Sequence, residues 1–290
     1  MIRLYKSELR RLTARRTARY TAIGLLVIAT LVLLRLFTWS EPDTEESRQR
    51  RAAAAIAECE AAKTRGEFPP EVICEDQVFV SSNEVSAKKG LSPTTKTVVV
   101  FVAMAAFVVA SSYVGADWSA GTLQALLFWE PRRPRVLAAK ALALLSVSLA
   151  FLLAFWAFVY GGVWLTAAAR GSTAGLTGGD HMSNLLTLGR GAVLMSLAAL
   201  FAYGLAGLTR LSASAPIFGF GYLIAFEVIL GNFRPSIRPW LLISNVDGLL
   251  NLRSAIVPGL DAWEAALRLG AFSELMLAAF VVAFTRRDVT

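Results

Sequence analysis

The sequence is short of the residues that most enzymes depend on. It holds one histidine, His181, and two cysteines, Cys59 and Cys74. Only 17% of its 290 residues are charged, against ~25% in ordinary soluble proteins. A single histidine leaves little room for Ser-His or Cys-His nucleophilic chemistry, or for a histidine-based metal site. His181 sits in Gly178-Gly179-Asp180-His181 and reads as a solvated loop histidine. No Gly-rich loop ends in Gly-Lys-Ser or Gly-Lys-Thr, so no nucleotide site of that type is expected. The His-Glu-x-x-His and Gly-x-Ser-x-Gly signatures are also missing. Two cysteines are too few for a disulfide-dense scaffold. A self-contained intramembrane enzyme is therefore disfavoured.

Apolar surface is what the chain has in excess. Hydrophobic residues make up 56% of it and the mean hydropathy is +0.55. A soluble protein of this size has too little interior to hide that much. A bilayer crossing needs about 20 mostly apolar helical residues. Six segments qualify: 20–37, 97–114, 138–169, 191–208, 213–231 and 265–285. The third is long enough to tilt or project. Pro216 falls near the start of the fifth, where proline costs least. The sixth carries Arg268 and Glu274 and has the weakest hydropathy signal. The expected fold is an all-α membrane protein with six transmembrane helices.

The net charge is +8. Its placement separates a membrane surface from a nucleic acid as the reason. Arg3, Lys6, Arg10, Arg11, Arg15, Arg16 and Arg19 precede the first span, with Glu8 as the one acid among them. Arg132, Arg133, Arg135 and Lys140 follow the second, and Arg286 and Arg287 follow the sixth. Residues 38–96 carry an acidic excess instead. Under the positive-inside rule this puts both termini in the cytoplasm. The loops at 38–96, 170–190 and 232–264 are then extracytoplasmic. The segments 115–137, 209–212 and 286–290 are cytoplasmic. The basic clusters are topology signals, and no nucleic-acid module surrounds them.

The first segment is not expected to be a cleaved signal, because its apolar run fills a bilayer and no small-residue cleavage site follows. Ile2, Tyr5, Leu9 and Leu12 recur at helical spacing among arginines. That pattern predicts an amphipathic helix over 1–19 lying on the inner membrane face.

Residues 38–96 are numerous enough for a small extracytoplasmic subdomain. Glu45 to Lys63 is rich in Ala, Glu and Arg and should be helical, and Pro69-Pro70 breaks it. Cys59 and Cys74 lie on the side where disulfides persist. A bridge would contribute roughly 3 kcal/mol in the chain-entropy model. Two free thiols are the alternative. A metal site is not expected there, since His181 is in another loop. Arg35, Glu227 and Glu274 fall within the spans, in the outer half of the bilayer. Charges at such depth face partners or water. Arg35 is expected to pair with one of the two glutamates or to snorkel outward. A substrate contact by Glu227 or Glu274 is the weaker expectation.

The segment after the second span runs Gly115-Ala116-Asp117-Trp118-Ser119-Ala120-Gly121-Thr122-Leu123, then Leu126-Leu127, Glu130-Pro131-Arg132-Arg133, Arg135 and Lys140. It resembles the ABC-2 family of permeases, the transmembrane subunits of bacterial ATP-binding-cassette exporters. The shared pattern is an acid, Gly-Thr-Leu, a leucine pair, a proline, basic residues and a lysine entering the third span. The tail Phe284-Thr285-Arg286-Arg287-Asp288 is also similar. Asp117 departs from the pattern, because many relatives carry glutamate there.

The resemblance implies a short coupling helix that docks on a separate ATPase. Asp117, Gly121, Thr122, Leu123, Leu126, Leu127, Glu130, Pro131, Arg132, Arg133, Arg135 and Lys140 would form that segment. Gly121 permits a tight bend. The leucines offer an apolar face for a groove, and the charges set register. No cofactor is expected on this chain; ATP and Mg would belong to the partner. A second permease, identical or different, would complete the pathway, lined by the second and fifth spans. The cargo would be hydrophobic or amphipathic: a drug, antibiotic, peptide or lipid. Re-entrant helices are implied within 232–264. A bacterial cell membrane is the expected location, in keeping with the arginine- and alanine-rich composition. An alternative of a different class is a non-transporting anchor or sensor that binds a ligand or partner through its outer loop.

Overall fold

The computed structural model describes residues 2–40, 44–66, 74, 85–122, 126, 128, 132–252 and 260–286. These are helical throughout their length-bearing elements, with a single isolated bridge, Ser86 to Ser172, and no strand among the described residues. In chain order the helices are α1 (Ile2–Ala14), α2 (Arg16–Trp39), α3 (Glu45–Thr64), α4 (Ala87–Ser119), α5 (Arg133–Arg170) and α6 (Gly178–Thr209). Then come α7 (Ser214–Tyr222), a π-helical stretch (Leu223–Leu230), α8 (Gly231–Phe233), a 3-10 turn (Pro235–Trp240), α9 (Leu242–Leu250) and α10 (Ala262–Arg286).

Six helices are long and apolar enough to cross a membrane: α2, α4, α5, α6, the run Pro216–Phe233 and α10. The protein is a multi-pass membrane protein. Every crossing helix but the fifth outruns the apolar segment legible in the sequence; the fifth, Pro216–Phe233, is of about the expected length. α5, with 38 residues, is about 57 Å long at 1.5 Å per residue, well beyond a ~30 Å hydrocarbon core. Local chemistry explains two of the extensions. Pro134 sits in the first turn of α5, where its missing N–H costs nothing. Thr177 and Asp180 form a reciprocal capping box that starts α6 at Gly178. The outer loop expected at 170–190 therefore shrinks to a short turn, and His181 is helical. Its Nδ1 lies 2.7 Å from Tyr160 Oη, which corrects the reading of a free loop histidine.

α4 and α6 form the most extensive pairing and carry the core. α10 packs on α6, α5 on α4, and α1 and α2 on α5. Glycines let the pairs approach closely: a Cβ at Gly191 would collide with Val99, and one at Gly207 with the Phe280 ring. α2 has no fully buried residue; Leu25, Ala29, Leu33 and Leu36 pack on the bundle and the rest of its apolar surface faces outward. Cys59 and Cys74 are joined as a disulfide that closes the segment after α3.

Two ends of the bundle can be told apart. One gathers the α1–α2 junction, the end of α4, the starts of α5 and α7, and the ends of α6 and α10. Arg15 meets Asp117, Ser111 Oγ donates to Ser212 O at 2.6 Å, and Arg133 donates to Phe284 O at 2.9 Å. At the other end Arg170 donates to Phe37 O at 3.2 Å, and Lys96 donates to Asn251 O. The first is called the arginine-rich end below.

Candidate functional site

A buried charge cluster occupies the arginine-rich end. Lys140 Nζ lies 2.8 Å from Glu8 Oε2 and 2.5 Å from Asp117 Oδ2. Arg15 pairs with the other Asp117 oxygen, and its second nitrogen donates to Ser112 O at 3.2 Å. Tyr113 donates its hydroxyl to Glu8. The same ring is faced by the Arg15 guanidinium at 4.9 Å and the Lys140 ammonium at 4.7 Å. Thr122 Oγ1 lies 3.2 Å from Asp117 Oδ1. Glu8, Asp117, Lys140 and Tyr113 are all buried.

The cluster balances two acids, Glu8 and Asp117, against two cations, Lys140 and Arg15. That balance is what makes burial tolerable, because an unpaired ion out of water costs several kcal/mol. Four elements supply it. α1 brings Glu8, the α1–α2 junction brings Arg15, the last turns of α4 bring Tyr113 and Asp117, and the second turn of α5 brings Lys140. A cluster of this kind cannot be broken at one member without stranding another.

Glu8 was not among the residues singled out from the sequence. Its signal was present: it is the one acid among seven basic residues, and it lies one turn before Leu12 on the same helix face. The face of α1 against the protein runs through Glu8 and Leu12 towards Arg15. Of the expected apolar stripe, Leu12 is buried, Tyr5 and Leu9 are half-buried, and Ile2 is 72% exposed. Leu12 is thus covered by protein and not by lipid.

Asp117 and Lys140 stand apart from the other residues of the expected coupling segment. Both are buried and paired to each other, so neither presents a surface to a partner. This corrects their expected place on a docking face; they hold the helix ends that flank it. Gly121 has φ +64°, a backbone region where a Cβ is strained. Arg132 and Arg135 are exposed, and Leu126 is half-buried. Arg133 also lies over the Phe284 ring at 5.9 Å, tying α5 to the end of α10. Leu123, Leu127, Glu130 and Pro131 lie outside the described residues.

The three charges at depth do not pair among themselves. Arg35 lies over its own neighbour Trp39 at 3.4 Å, which corrects the expected ion pair with a glutamate. Stacking within one helix is available at no cost in helix rotation. Glu227, in the π-helical stretch, accepts from Ile243 N at 2.7 Å, while Tyr222 Oη accepts from Leu242 N at 3.1 Å. Together they satisfy two open N–H groups in the first turn of α9. Glu274 is exposed on α10 and forms no ion pair among the described residues. No group of three or more His, Cys, Asp or Glu is placed to hold a metal among the described residues.

Compared with known proteins, the chain matches no family model and no curated protein.

Proposed function

We propose that this protein is the permease subunit of an ABC-2-type exporter, coupled to a separate ATPase and forming half of a pathway for a hydrophobic or amphipathic substrate. The observation that carries the reading is the position of the buried cluster. Asp117 and Lys140 flank residues 118–132, the segment whose sequence resembles a coupling helix; Lys140 ties its far end to Glu8 of α1, and Asp117 is held by Lys140 and Arg15. A push on that segment would move α1, α4 and α5 as one unit, because the ion pairs leave no slack between them. On this reading the segment faces the cytoplasm, and α1 lies along the inner surface of a bacterial cell membrane. The second and fifth crossing helices line the path against a second permease. ATP and Mg are held by the partner.

The test is a complex. The full chain is co-expressed with any ATP-binding-cassette ATPase found encoded beside it and purified into nanodiscs. Charge reversal at Glu130 and the exposed Arg135 together is expected to lose the ATPase while the permease stays folded. An intact complex in the double variant overturns the docking assignment. No ATPase recovered with the wild-type chain overturns the function.

A further inference from the structure

A shallow, open strip of about 430 Å³ lies on the outward face of α10 alone. It is bordered by Leu275, Ala278, Ala279 and Val282, with Ala283 and Arg286 at its end. From Leu275 to Arg286 the helix rises about 16 Å, close to the depth of one leaflet's hydrocarbon, half of ~30 Å. Beside it, sharing Ala283, is a slot of about 10 Å³ bordered by Trp118, Arg210 and Phe284. That is room for one water- or oxygen-sized group.

The chemistry of this corner is uneven. The Trp118 indole N–H is buried and has no acceptor among the described residues. A buried donor without a partner costs about 1–3 kcal/mol, so an acceptor belongs there. Arg210 lies over the Trp118 ring at 4.5 Å and is otherwise exposed. It closes α6 in a left-handed conformation, φ 60°, which turns the chain back over Trp118. Arg286 is exposed in the last turn of α10. Neither arginine forms an ion pair among the described residues. The nearest acid on α10, Glu274, is about 18 Å away along the axis and does not border the strip.

We propose that this corner binds an anionic phospholipid of the leaflet at the arginine-rich end. One acyl chain lies along Leu275 to Val282. The phosphate sits between Arg210 and Arg286, with one of its oxygens accepting from Trp118 Nε1. Small residues leave a low strip for the chain, and the guanidiniums offer positive charge and donors to the phosphate oxygens. The site depends only on the chain being a membrane protein and not on the proposed transport function, although Trp118 opens the segment that function assigns to coupling.

The experiment counts bound lipid by native mass spectrometry on the purified full chain. Phosphatidylglycerol and phosphatidylcholine of equal chain length are offered in turn. One phosphatidylglycerol per protomer is expected to survive delipidation, with phosphatidylcholine released. Removing each arginine, R210A or R286A, is expected to weaken retention about fivefold, and both together about thirtyfold. W118F weakens it with the arginines intact. The wild-type comparison requires no variant to fold. Equal retention of the two lipids overturns the proposal, as does unchanged retention in the double variant. Displacement by millimolar inorganic phosphate alone makes it a free-anion site and also overturns it. A second protein copy seen in place of lipid identifies the strip as a subunit contact instead.

Discussion

The Lys140 ammonium lies 2.8 Å from the Glu8 carboxylate, although 132 positions separate the two in the chain. With Asp117 on its other side, Lys140 is the joint of the arginine-rich end. Removing it leaves Asp117 with Arg15 and buried Glu8 with only the half-exposed Arg11 at 3.5 Å. Lys140→Met is therefore expected to destabilise the protein by about 3–5 kcal/mol. Adding Glu8→Gln restores the balance of one acid and one cation. The double variant Glu8→Gln/Lys140→Met is expected to be more stable than Lys140→Met alone. Reversible unfolding in mixed micelles checks this, and an additive loss would refute the balance.

Arg11 and Arg15 give a contrast within one helix turn. The Arg11 side chain is 49% exposed and reaches Glu8 only at 3.5 Å. Arg15 pairs with buried Asp117. Arg11→Ala is expected to stay within about 0.5 kcal/mol of wild type, since exposed pairs contribute little. Arg15→Ala strands part of the Asp117 charge and is expected to cost several times more. The same unfolding assay separates them; equal losses would mean that burial does not decide the matter.

Gly115 marks the tightest approach at this end. A methyl there would overlap the backbone of Ser212. Gly115→Ala is expected to cost about 1–3 kcal/mol by forcing the α6–α7 turn away from α4. Loss of the Ser111–Ser212 contact should appear as faster amide exchange across 210–213.

Glu227 should behave as a cap for α9. Glu227→Ala removes the acceptor for Ile243 N and is expected to cost about 0.5–2 kcal/mol, as other N-terminal caps do. Glu227→Gln keeps an acceptor oxygen and should cost less. Amide exchange at Ile243 reads the difference. An Ile243 amide equally protected in Glu227→Ala would show that α9 is held by packing alone.

The Cys59–Cys74 disulfide closes 15 positions of chain after the middle of α3. Cys59→Ser is expected to remove roughly 3 kcal/mol of local stabilisation. The check is limited proteolysis of the intact protein with and without reductant. Cleavage within 45–74 should accelerate in both the variant and the reduced wild type, and unchanged cutting would contradict it.

Much of the fold was legible in the residues. Six apolar stretches stood out because backbone in hydrocarbon must satisfy its own hydrogen bonds, so crossing helices need long apolar runs. All but the fifth were read too short. Hydropathy marks where lipid begins, but a helix continues until a cap or a breaker stops it. The Thr177–Asp180 capping box was a readable signal of this kind. So was Gly121, whose positive φ fits the bend expected of it.

The site was only half legible. Asp117 and Lys140 stood out through a family resemblance that placed them on a docking segment. Their burial and their tie to Glu8 were invisible, because both depend on how α1, α4 and α5 are rotated against one another. The same holds for Glu227, whose partner is a backbone N–H on a helix 16 positions away. Composition and periodicity by themselves determined a six-helix membrane protein with a basic end. Only tertiary structure decided which charges at that end face water and which neutralise each other out of it. The reason is physical: a bilayer acts on each segment separately and so is written along the sequence. An ion pair needs two side chains within a few ångströms, and helix packing alone sets that distance.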